Sequence, residues 1–257
     1  MKWEDYRKHE TVAIKHCPTR AICPLGQLCG VDDAKDSRVL TPALAEVAKD
    51  DLVWVNWRNE HRVIVVKSGL IAIVSAADHD GEVFAVYGSG YCCGLAELYI
   101  DESVAYTYYL KALTDCTVCS VPANALRHRL EALPPAMANR IVASSLTNWS
   151  AAAFEMMKLR SLSRKSERLA LLLRYLREQS GRLGSPLSAI RLSHDELATL
   201  LHSDRASVTR ALHGLEKDGL VSLGYKTITL CDDFDRRAKD YGSLELAFHV
   251  PAMSDEG

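Results

Sequence analysis

Short apolar runs separated by polar turns fill the chain between about residue 40 and residue 121, a pattern that is typical of β-strands. The runs cover residues 52–55, 63–66, 70–74, 83–86, 106–112 and 117–121. Glycine-containing turns at 67–69, 79–81 and 88–90 separate several of them. Short strands at such regular spacing predict a β-roll or barrel.

The spacing of apolar residues changes after the predicted strands. Residues 136–162 contain neither Gly nor Pro and carry apolar side chains at helical spacing. The first of two apolar-leaning lines along this predicted helix consists of Ile141, Ser145, Asn148, Ala152, Met156 and Leu159. The second consists of Val142, Leu146, Trp149, Ala153 and Met157. A helix with two such faces has two surfaces to bury, so we expect one face to pack on the β-roll and the other to pair with a second copy. We assign the first line to the dimer interface, and the alternative is a buried helix of a monomer.

A linking helix over 164–179 leads to two further helices joined by a polar turn. Ser193 and Glu196 form a capping box, which starts the first of these helices. Residues 202–204 break the apolar pattern, and Asp204 supplies the N-cap of the second. Gly219 is placed to end that helix, and alternating residues at 221–223 and 227–230 predict a two-stranded wing. This order predicts a winged helix-turn-helix, and the alternative is an ordinary helical hairpin with a solvated basic face.

The second helix of this unit presents a polar face suited to DNA. A guanidinium can donate two hydrogen bonds to O6 and N7 of guanine, and hydroxyl side chains suit phosphate contacts. The residues that we predict to contact double-stranded DNA are Ser193, Asp204, Arg205, Ala206, Ser207, Thr209, Arg210, His213 and Lys226.

Composition and charge fit this prediction once their distribution is considered. The chain has 257 residues, 48% of them hydrophobic and 25% charged, with a net charge of -2. Residues 158–226 nevertheless hold 13 Lys and Arg against 7 Asp and Glu, which concentrates positive charge where DNA would bind. No run of 18 apolar residues and no signal peptide is evident, so we expect a cytoplasmic protein that does not use a membrane. Because no phosphate loop, nucleophile elbow or zinc-protease motif occurs, we do not expect an enzyme.

These elements together resemble the CRP/FNR family of bacterial transcription regulators over nearly the whole chain. The motifs that carry the resemblance are Ser166-Glu167-Arg168-Leu169, Asp204-Arg205-Ala206-Ser207-Val208-Thr209-Arg210 and Gly224-Tyr225-Lys226-Thr227-Ile228. The resemblance implies an α+β fold with an N-terminal cyclic-nucleotide-binding-like β-roll, a long dimerisation helix and a C-terminal winged helix-turn-helix. It also implies a homodimer that binds a pseudo-palindromic DNA site and contacts RNA polymerase.

The same resemblance divides the chain and assigns roles within the motif. We expect a Cys-containing segment over 1–38, a β-roll sensor over 39–133, a dimerisation helix over 134–162, a DNA-binding domain over 163–235 and a tail over 236–257. Arg205 and Arg210 are expected to read guanines, and Ser207 and Lys226 to contact the DNA backbone. Ala206 stands where the family often has a glutamate, so we expect an altered half-site, in which a methyl group can touch a thymine methyl.

Family members that bind a cyclic nucleotide carry a Gly-Glu turn followed by an Arg-Ser pair, in which the arginine meets the cyclic phosphate. This chain has Gly94-Leu95 and Tyr106-Thr107 at those places. Since both charged groups are missing, we do not expect cyclic AMP to be the effector.

The cysteines suggest a different signal. The chain has 8 cysteines, which in a reducing compartment favours metal ligands or redox thiols over a disulfide framework. Cys17, Cys23, Cys29 and Cys119 resemble the ligand set of the iron-sulfur branch of the family, in which three N-terminal cysteines and one from the β-roll hold a [4Fe-4S] cluster that oxygen dismantles.

Other sensing mechanisms stay open alongside the cluster. The N-terminal cysteines can bind zinc or form a thiol-disulfide switch. The β-roll can bind a small organic molecule or haem, for which His9, His16 and His61 are candidate ligands. Three further cysteines lie in β-rich stretches, and we interpret them as small core residues: Cys92, Cys93 and Cys116.

Overall fold

The computed structural model of the chain describes residues 9–11, 23–26, 28–29, 40, 42–53, 61–75, 81–99, 108–181 and 188–241. The strands of the N-terminal half are β1 (His9–Thr11), β2 (Ala43–Val47), β3 (Leu52–Val53), β4 (Arg62–Ser68), β5 (Ile71–Ser75), β6 (Val83–Tyr87), β7 (Cys92–Cys93), β8 (Tyr108–Ala112) and β9 (Cys116–Pro122). The elements of the C-terminal half are α1 (Ala123–Glu131), α2 (Pro135–Ser161), α3 (Lys165–Gly181), β10 (Ala189–Ile190), α4 (His194–Leu200), α5 (Arg205–Lys217), β11 (Val221–Gly224), β12 (Thr227–Leu230) and α6 (Phe234–Ala238). None of the helices in these ranges combines the length and the apolar character needed to cross a membrane.

Two antiparallel sheets form the N-terminal half. One has the strand order β1-β2-β9-β4-β7 and the other the order β3-β8-β5-β6. Alternate residues of both sheets meet in a shared core, so the predicted β-roll is confirmed. Strands β2 and β7 and the short helix α1 were not predicted, because β7 has only two residues and α1 follows β9 without a turn signal.

The outer face of the first sheet is covered by helices and by the N-terminal segment. Residues of β4 and β9 that point outward, such as Val65 and Val121, are at most 1% exposed. Their cover consists of Leu25, Leu28, Leu40, Leu95, Leu98, Leu126, Leu130 and Ile141. The cysteine-rich N-terminus is therefore part of the packing of the β-roll.

Helix α2 begins with a proline at its first turn, where the missing N–H costs nothing, and its bounds match the predicted helix closely. Its first line was predicted to form the dimer interface. Ile141, Ala152, Met156 and Leu159 are 0% exposed within a single chain, Ser145 is buried and Asn148 is half-buried. The assignment is wrong for the five buried residues, because they already pack inside the chain's own fold.

The second line of α2 is the one that faces solvent. Leu146 and Trp149 are 42% and 41% exposed, and Met157 is 62% exposed. Helical periodicity identifies two apolar faces but not which of them meets the chain's own β-roll. The exposed line, which we call the outer seam of α2, is therefore the candidate for contact with a second copy.

Helix α3 ties the C-terminal half to the β-roll. Tyr175 donates a hydrogen bond from its hydroxyl to the carbonyl oxygen of Val86 at 2.5 Å, and the Ser89 N–H donates to the carbonyl oxygen of Gln179 at 3.2 Å. A Cβ atom on Gly88 would lie 1.9 Å from that same Gln179 oxygen, so glycine allows the close approach. Residues of β5, β6 and α3 share one hydrophobic cluster with the helix-turn-helix.

Candidate nucleic-acid interface and cysteine site

The first helix of the predicted motif, α4, begins with the predicted capping box. The Glu196 N–H donates to Ser193 Oγ at 3.2 Å, and the Ser193 N–H donates to Glu196 Oε2 at 2.6 Å. Glu196 also pairs with Lys49 Nζ of the β-roll at 2.6 Å. Burial raises the pKa of Glu196, but hydrogen bonds from Lys49 and Ser193 outweigh burial and hold that pKa below its usual range.

The second helix, α5, has the predicted start and end. Asp204 Oδ1 accepts a hydrogen bond from the Ser207 N–H at 2.7 Å, which makes Asp204 the N-cap. Gly219 adopts φ +68°, and the N–H of Leu220 donates to the carbonyl of Leu215 at 2.9 Å. These are the positive φ and the hydrogen bond of a helix that ends in a Schellman motif.

The two faces of α5 separate as predicted. Val208, Leu212 and Leu215 are at most 2% exposed and pack on the core of the motif. The side chains that lie exposed on the other side are Arg205, Ala206, Arg210, His213 and Lys217. One face of the helix is thus free to enter a groove, and the individual DNA contacts remain predictions.

Ser207 departs from its predicted role. The residue is 4% exposed, and its hydroxyl donates to Asp204 Oδ2 at 2.6 Å. Ser207 Oγ in turn accepts hydrogen bonds from Lys165 Nζ at 2.5 Å and from Arg210 Nη2 at 3.0 Å. Because the start of α3 covers this flank of α5, Ser207 is placed to organise its neighbours and not to contact the DNA backbone.

The other polar residues of the motif also have partners. Arg205 Nη1 lies 3.6 Å from Asp195 Oδ2, and both side chains are about two-thirds exposed. Such an exposed pair contributes little free energy, roughly 0–1 kcal/mol, and can open on contact with DNA. Thr209 is half-buried, with its hydroxyl 2.9 Å from His194 Nδ1.

The predicted wing is confirmed as the hairpin of β11 and β12. Its turn presents Tyr225, which is 89% exposed, next to Lys226. Lys226 adopts φ +50°, and its Nζ lies 5.7 Å from the centre of the Tyr225 ring. Tyr225 was not among the residues that we predicted to contact DNA, although its place in the turn of the predicted wing is evident from the sequence.

The described cysteines of the predicted metal site lie on the outer face of the first sheet. Val65 in β4 pairs with Cys119 on one side and with Cys92 on the other, so these two thiols share one face, two strands apart. Cys23 and Cys29 pack against the same hydrophobic cluster. We call Cys23, Cys29, Cys92 and Cys119 the thiol cluster.

This arrangement supports the predicted set only in part. Cys23, Cys29 and Cys119 all border the hydrophobic cluster on this face of the sheet, whereas Cys17 lies outside the described residues. Within the described ranges, no three His, Cys, Asp or Glu side chains are arranged so that they could hold a metal ion. The described cysteines as placed therefore do not form the site of a [4Fe-4S] cluster.

Cys92 belongs to this cluster and is also a buried core residue, as predicted. Its side chain is buried, and burial raises its pKa, with the nearby Cys23 thiol adding to the effect. Cys93 and Cys116 point to the opposite side, into the core between the two sheets, as predicted.

The other predicted effector sites are described only in part. Gly94 adopts φ +87°, and Leu95, which stands where nucleotide-binding members have a carboxylate, is 2% exposed. Tyr106 and Thr107 lie outside the described residues, as do His16 and the side chain of His9. His61 precedes β4, where its carbonyl accepts a hydrogen bond from the N–H of Ala123.

Comparisons with known proteins agree with this architecture. Residues 167–233 match the Crp-like helix-turn-helix domain family, and residues 46–132 match the cyclic nucleotide-binding domain family. The HTH-type transcriptional regulator Cmr of Mycobacterium tuberculosis is 27% identical over 178 residues, which cover 69% of this chain and 68% of that protein.

Solved structures show the same fold. FixK2 from Bradyrhizobium japonicum superposes with a TM-score of 0.62 at 18% identity, over 80% of this chain and 98% of that one. The regulator CLP from Xanthomonas campestris, described as c-di-GMP responsive, superposes with a TM-score of 0.54 at 22% identity, over 73% of this chain and 92% of that one.

Proposed function

Because the chain belongs to the CRP/FNR family of DNA-binding transcription regulators, we propose that it binds a pseudo-palindromic site in double-stranded DNA as a homodimer. The observation that carries this proposal is the free face of α5. Arg205 and Arg210 are exposed on a helix that is capped at both ends, and Lys226 extends from the adjacent wing. Such a helix fits the major groove, and two copies fit two half-sites about one DNA turn apart.

The outer seam of α2 supports the homodimer. Among the described residues, seven large hydrophobic side chains are exposed, and three of them lie on this seam: Leu146, Trp149 and Met157. A concentration of exposed apolar side chains on one helix is typical of a protein interface. Residues 146, 149, 153 and 157 recur at the spacing of a coiled-coil seam.

The DNA-binding proposal is tested by measuring affinity for duplexes selected from a random library. The wild-type protein should enrich a symmetric site, and Arg210→Ala should lose preference for it while keeping weak, salt-sensitive binding. If the wild-type protein selects no sequence, the proposal is wrong.

The dimer is tested separately by light scattering. Trp149→Glu should convert the protein to a monomer and weaken binding to a symmetric site, since a buried charge in the seam costs several kcal/mol. Thr147→Glu adds the same charge on a neighbouring face of α2 and should leave the dimer intact. If the Trp149→Glu protein is still a dimer, the interface lies elsewhere on the chain.

For the signal, we propose that the thiol cluster senses redox state. Its support is that two cysteines of the N-terminal segment pack on the sheet face that carries Cys92 and Cys119. Oxidation or alkylation there would change how the segment covers the β-roll. The [4Fe-4S] cluster stays a prediction of the family resemblance, since it requires Cys17 and a closer arrangement than the described cysteines show. RNA polymerase likewise stays a predicted partner.

Anaerobic purification separates these sensing mechanisms. A cluster would give a brown protein with about four irons per chain. An iron-free protein whose DNA affinity changes with thiol oxidation, and no longer does so when Cys23 and Cys29 are replaced by Ser, supports the thiol switch. An iron-free protein whose DNA affinity changes neither with thiol oxidation nor with replacement of Cys23 and Cys29 would instead favour an organic effector bound by the cyclic nucleotide-binding domain.

A further inference from the structure

A polar network joins the start of α3 to the start of the helix that we propose to read DNA. Lys165 is the first residue of α3 and follows the end of α2 closely. Its Nζ lies 3.1 Å from Asp204 Oδ2 and 2.5 Å from Ser207 Oγ. A residue of the junction between α2 and α3 therefore holds the N-cap of α5 by its side chain.

The Ser207 hydroxyl extends this network to Arg210. A hydroxyl has one hydrogen to donate and two lone pairs to accept with. Ser207 donates to Asp204 and accepts from Lys165 and Arg210, so its hydrogen-bonding capacity is fully used. Two cationic side chains thus meet at one buried oxygen, and the Asp204 carboxylate is the anion that offsets their repulsion.

Lys165 and Arg210 therefore compete to pair with the same anion, the Asp204 carboxylate. With Lys165 in place, the Asp204 carboxylate already has a cationic partner, and only Nη2 of Arg210 bonds to Ser207. The guanidinium has five N–H donors, so enough remain for a bidentate contact with a base. Without Lys165, Asp204 would lose its cationic partner within this network, and Arg210, which already bonds to Ser207, would be the cation left in the network to pair with it. A fork turned toward Asp204 points away from the groove.

We propose that Lys165 is a positioning residue for base readout, which keeps Asp204 and Ser207 occupied and so leaves the Arg210 guanidinium directed at DNA. The inference rests on the proposed binding of DNA through α5. It connects the α2–α3 junction to the reading of one base pair, because any change at that junction moves the lysine that holds the N-cap. The hydrogen bonds from Ser207 and Lys165 also hold the pKa of Asp204 well below its usual range, which keeps the carboxylate charged.

The competing role for Lys165 is a direct contact with a DNA phosphate. Its side chain is 52% exposed, and that of Asp204 is 60% exposed, so the pair is open to solvent. For the same reason the pair adds little to folding, and replacing Lys165 should leave the protein folded. The two roles predict different dependence on sequence and on salt.

The test compares Lys165→Met with Lys226→Met on two duplexes over a series of salt concentrations. One duplex is the selected site, and the other has the guanine identified by Arg210→Ala replaced. Lys165→Met should reduce discrimination between the duplexes about tenfold and leave the slope of log affinity against log salt unchanged. Lys226→Met should weaken both duplexes equally and lower that slope by about one.

Two outcomes would overturn the inference. If Lys165→Met weakens both duplexes equally and lowers the salt slope, Lys165 contacts phosphate. If it changes neither discrimination nor slope, Lys165 has no part in readout. Both outcomes leave the proposed function standing, which fails only when the wild-type protein discriminates no sequence.

Discussion

The helix-turn-helix is built from contacts between residues close together in the sequence, whereas the thiol cluster is built from contacts between residues far apart in it. Each cap of α4 and α5 joins residues a few positions apart, such as Ser193 with Glu196. In the thiol cluster, the order of strands in a sheet brings Cys92 and Cys119 onto one face, and the distant segment with Cys23 packs on that face. Local sequence signals therefore determine the structure of the helix-turn-helix that we propose to bind DNA. The long-range topology of the sheet determines the thiol cluster that we propose to sense redox state.

The largest effect is expected where the β-roll, which carries the thiol cluster, touches α3, which leads to the helix-turn-helix. Gly88→Val places a Cβ atom 1.9 Å from the carbonyl oxygen of Gln179, a backbone atom that cannot move without moving α3. We expect a loss of about 1–3 kcal/mol in the free energy of unfolding, because overpacking forces backbone shifts. Urea unfolding followed by two probes, one in each region, should change from one shared transition to two.

Gly214→Ala is the matched control for that substitution. A Cβ atom at this exposed position of α5 would meet nothing within 4 Å. Since glycine inside a helix is unfavourable by roughly 0.5–1 kcal/mol relative to alanine, this variant should be more stable than the wild type. A Gly88→Val protein that unfolds like the wild type would mean that α3 is not held on the β-roll at this point.

An intermediate effect is expected from the local contacts of the helix-turn-helix. Ser193→Ala removes the side-chain cap of α4 and should cost about 1 kcal/mol, measured as a lower melting temperature. Ser222→Ala, at an exposed position of the wing, should change stability by less than about 0.5 kcal/mol. Equal melting temperatures for the two variants would show that the cap adds nothing to the domain.

The smallest effect concerns the ion pair between Lys49 and Glu196, which joins the β-roll to the helix-turn-helix. The folded protein lowers the pKa of Glu196 from its reference value of 4.5, so the pair stabilises the fold above that pH and loses its contribution as acid protonates the carboxylate. Unfolding measured from neutral pH to below about 4.5 should show a weaker dependence on pH for Glu196→Gln. An identical dependence in both proteins would exclude this pair as a source of acid sensitivity.

The success of sequence reasoning follows the same division between local and distant contacts. Capping, turn and wing signals lie within a few residues of one another, and each was confirmed. The seam of α2 was placed on the wrong face because Ile141 and Met156 find their partners in distant elements. For the same reason Lys165 was not predicted as part of the site and Ser207 was predicted to contact the DNA backbone, since the contact between these two residues joins α3 to α5.

Strand length explains why the role of Cys92 was not predicted. Strand β7 has two residues, too few to show alternation, and only its pairing with β4 places Cys92 beside Cys119 across Val65. Cys119, by contrast, lies in the seven-residue strand β9, whose pattern was evident in the sequence.

The alternation of β7 gives this chain two neighbouring thiols that report on different opening events. Cys92 lies under the N-terminal segment, whereas Cys93 lies in the core between the sheets. An alkylating reagent should reach Cys92 whenever the segment lifts and Cys93 only when the β-roll itself opens. The ratio of the two labelling rates, read from fragments of a single peptide, would separate local from global opening in one time course.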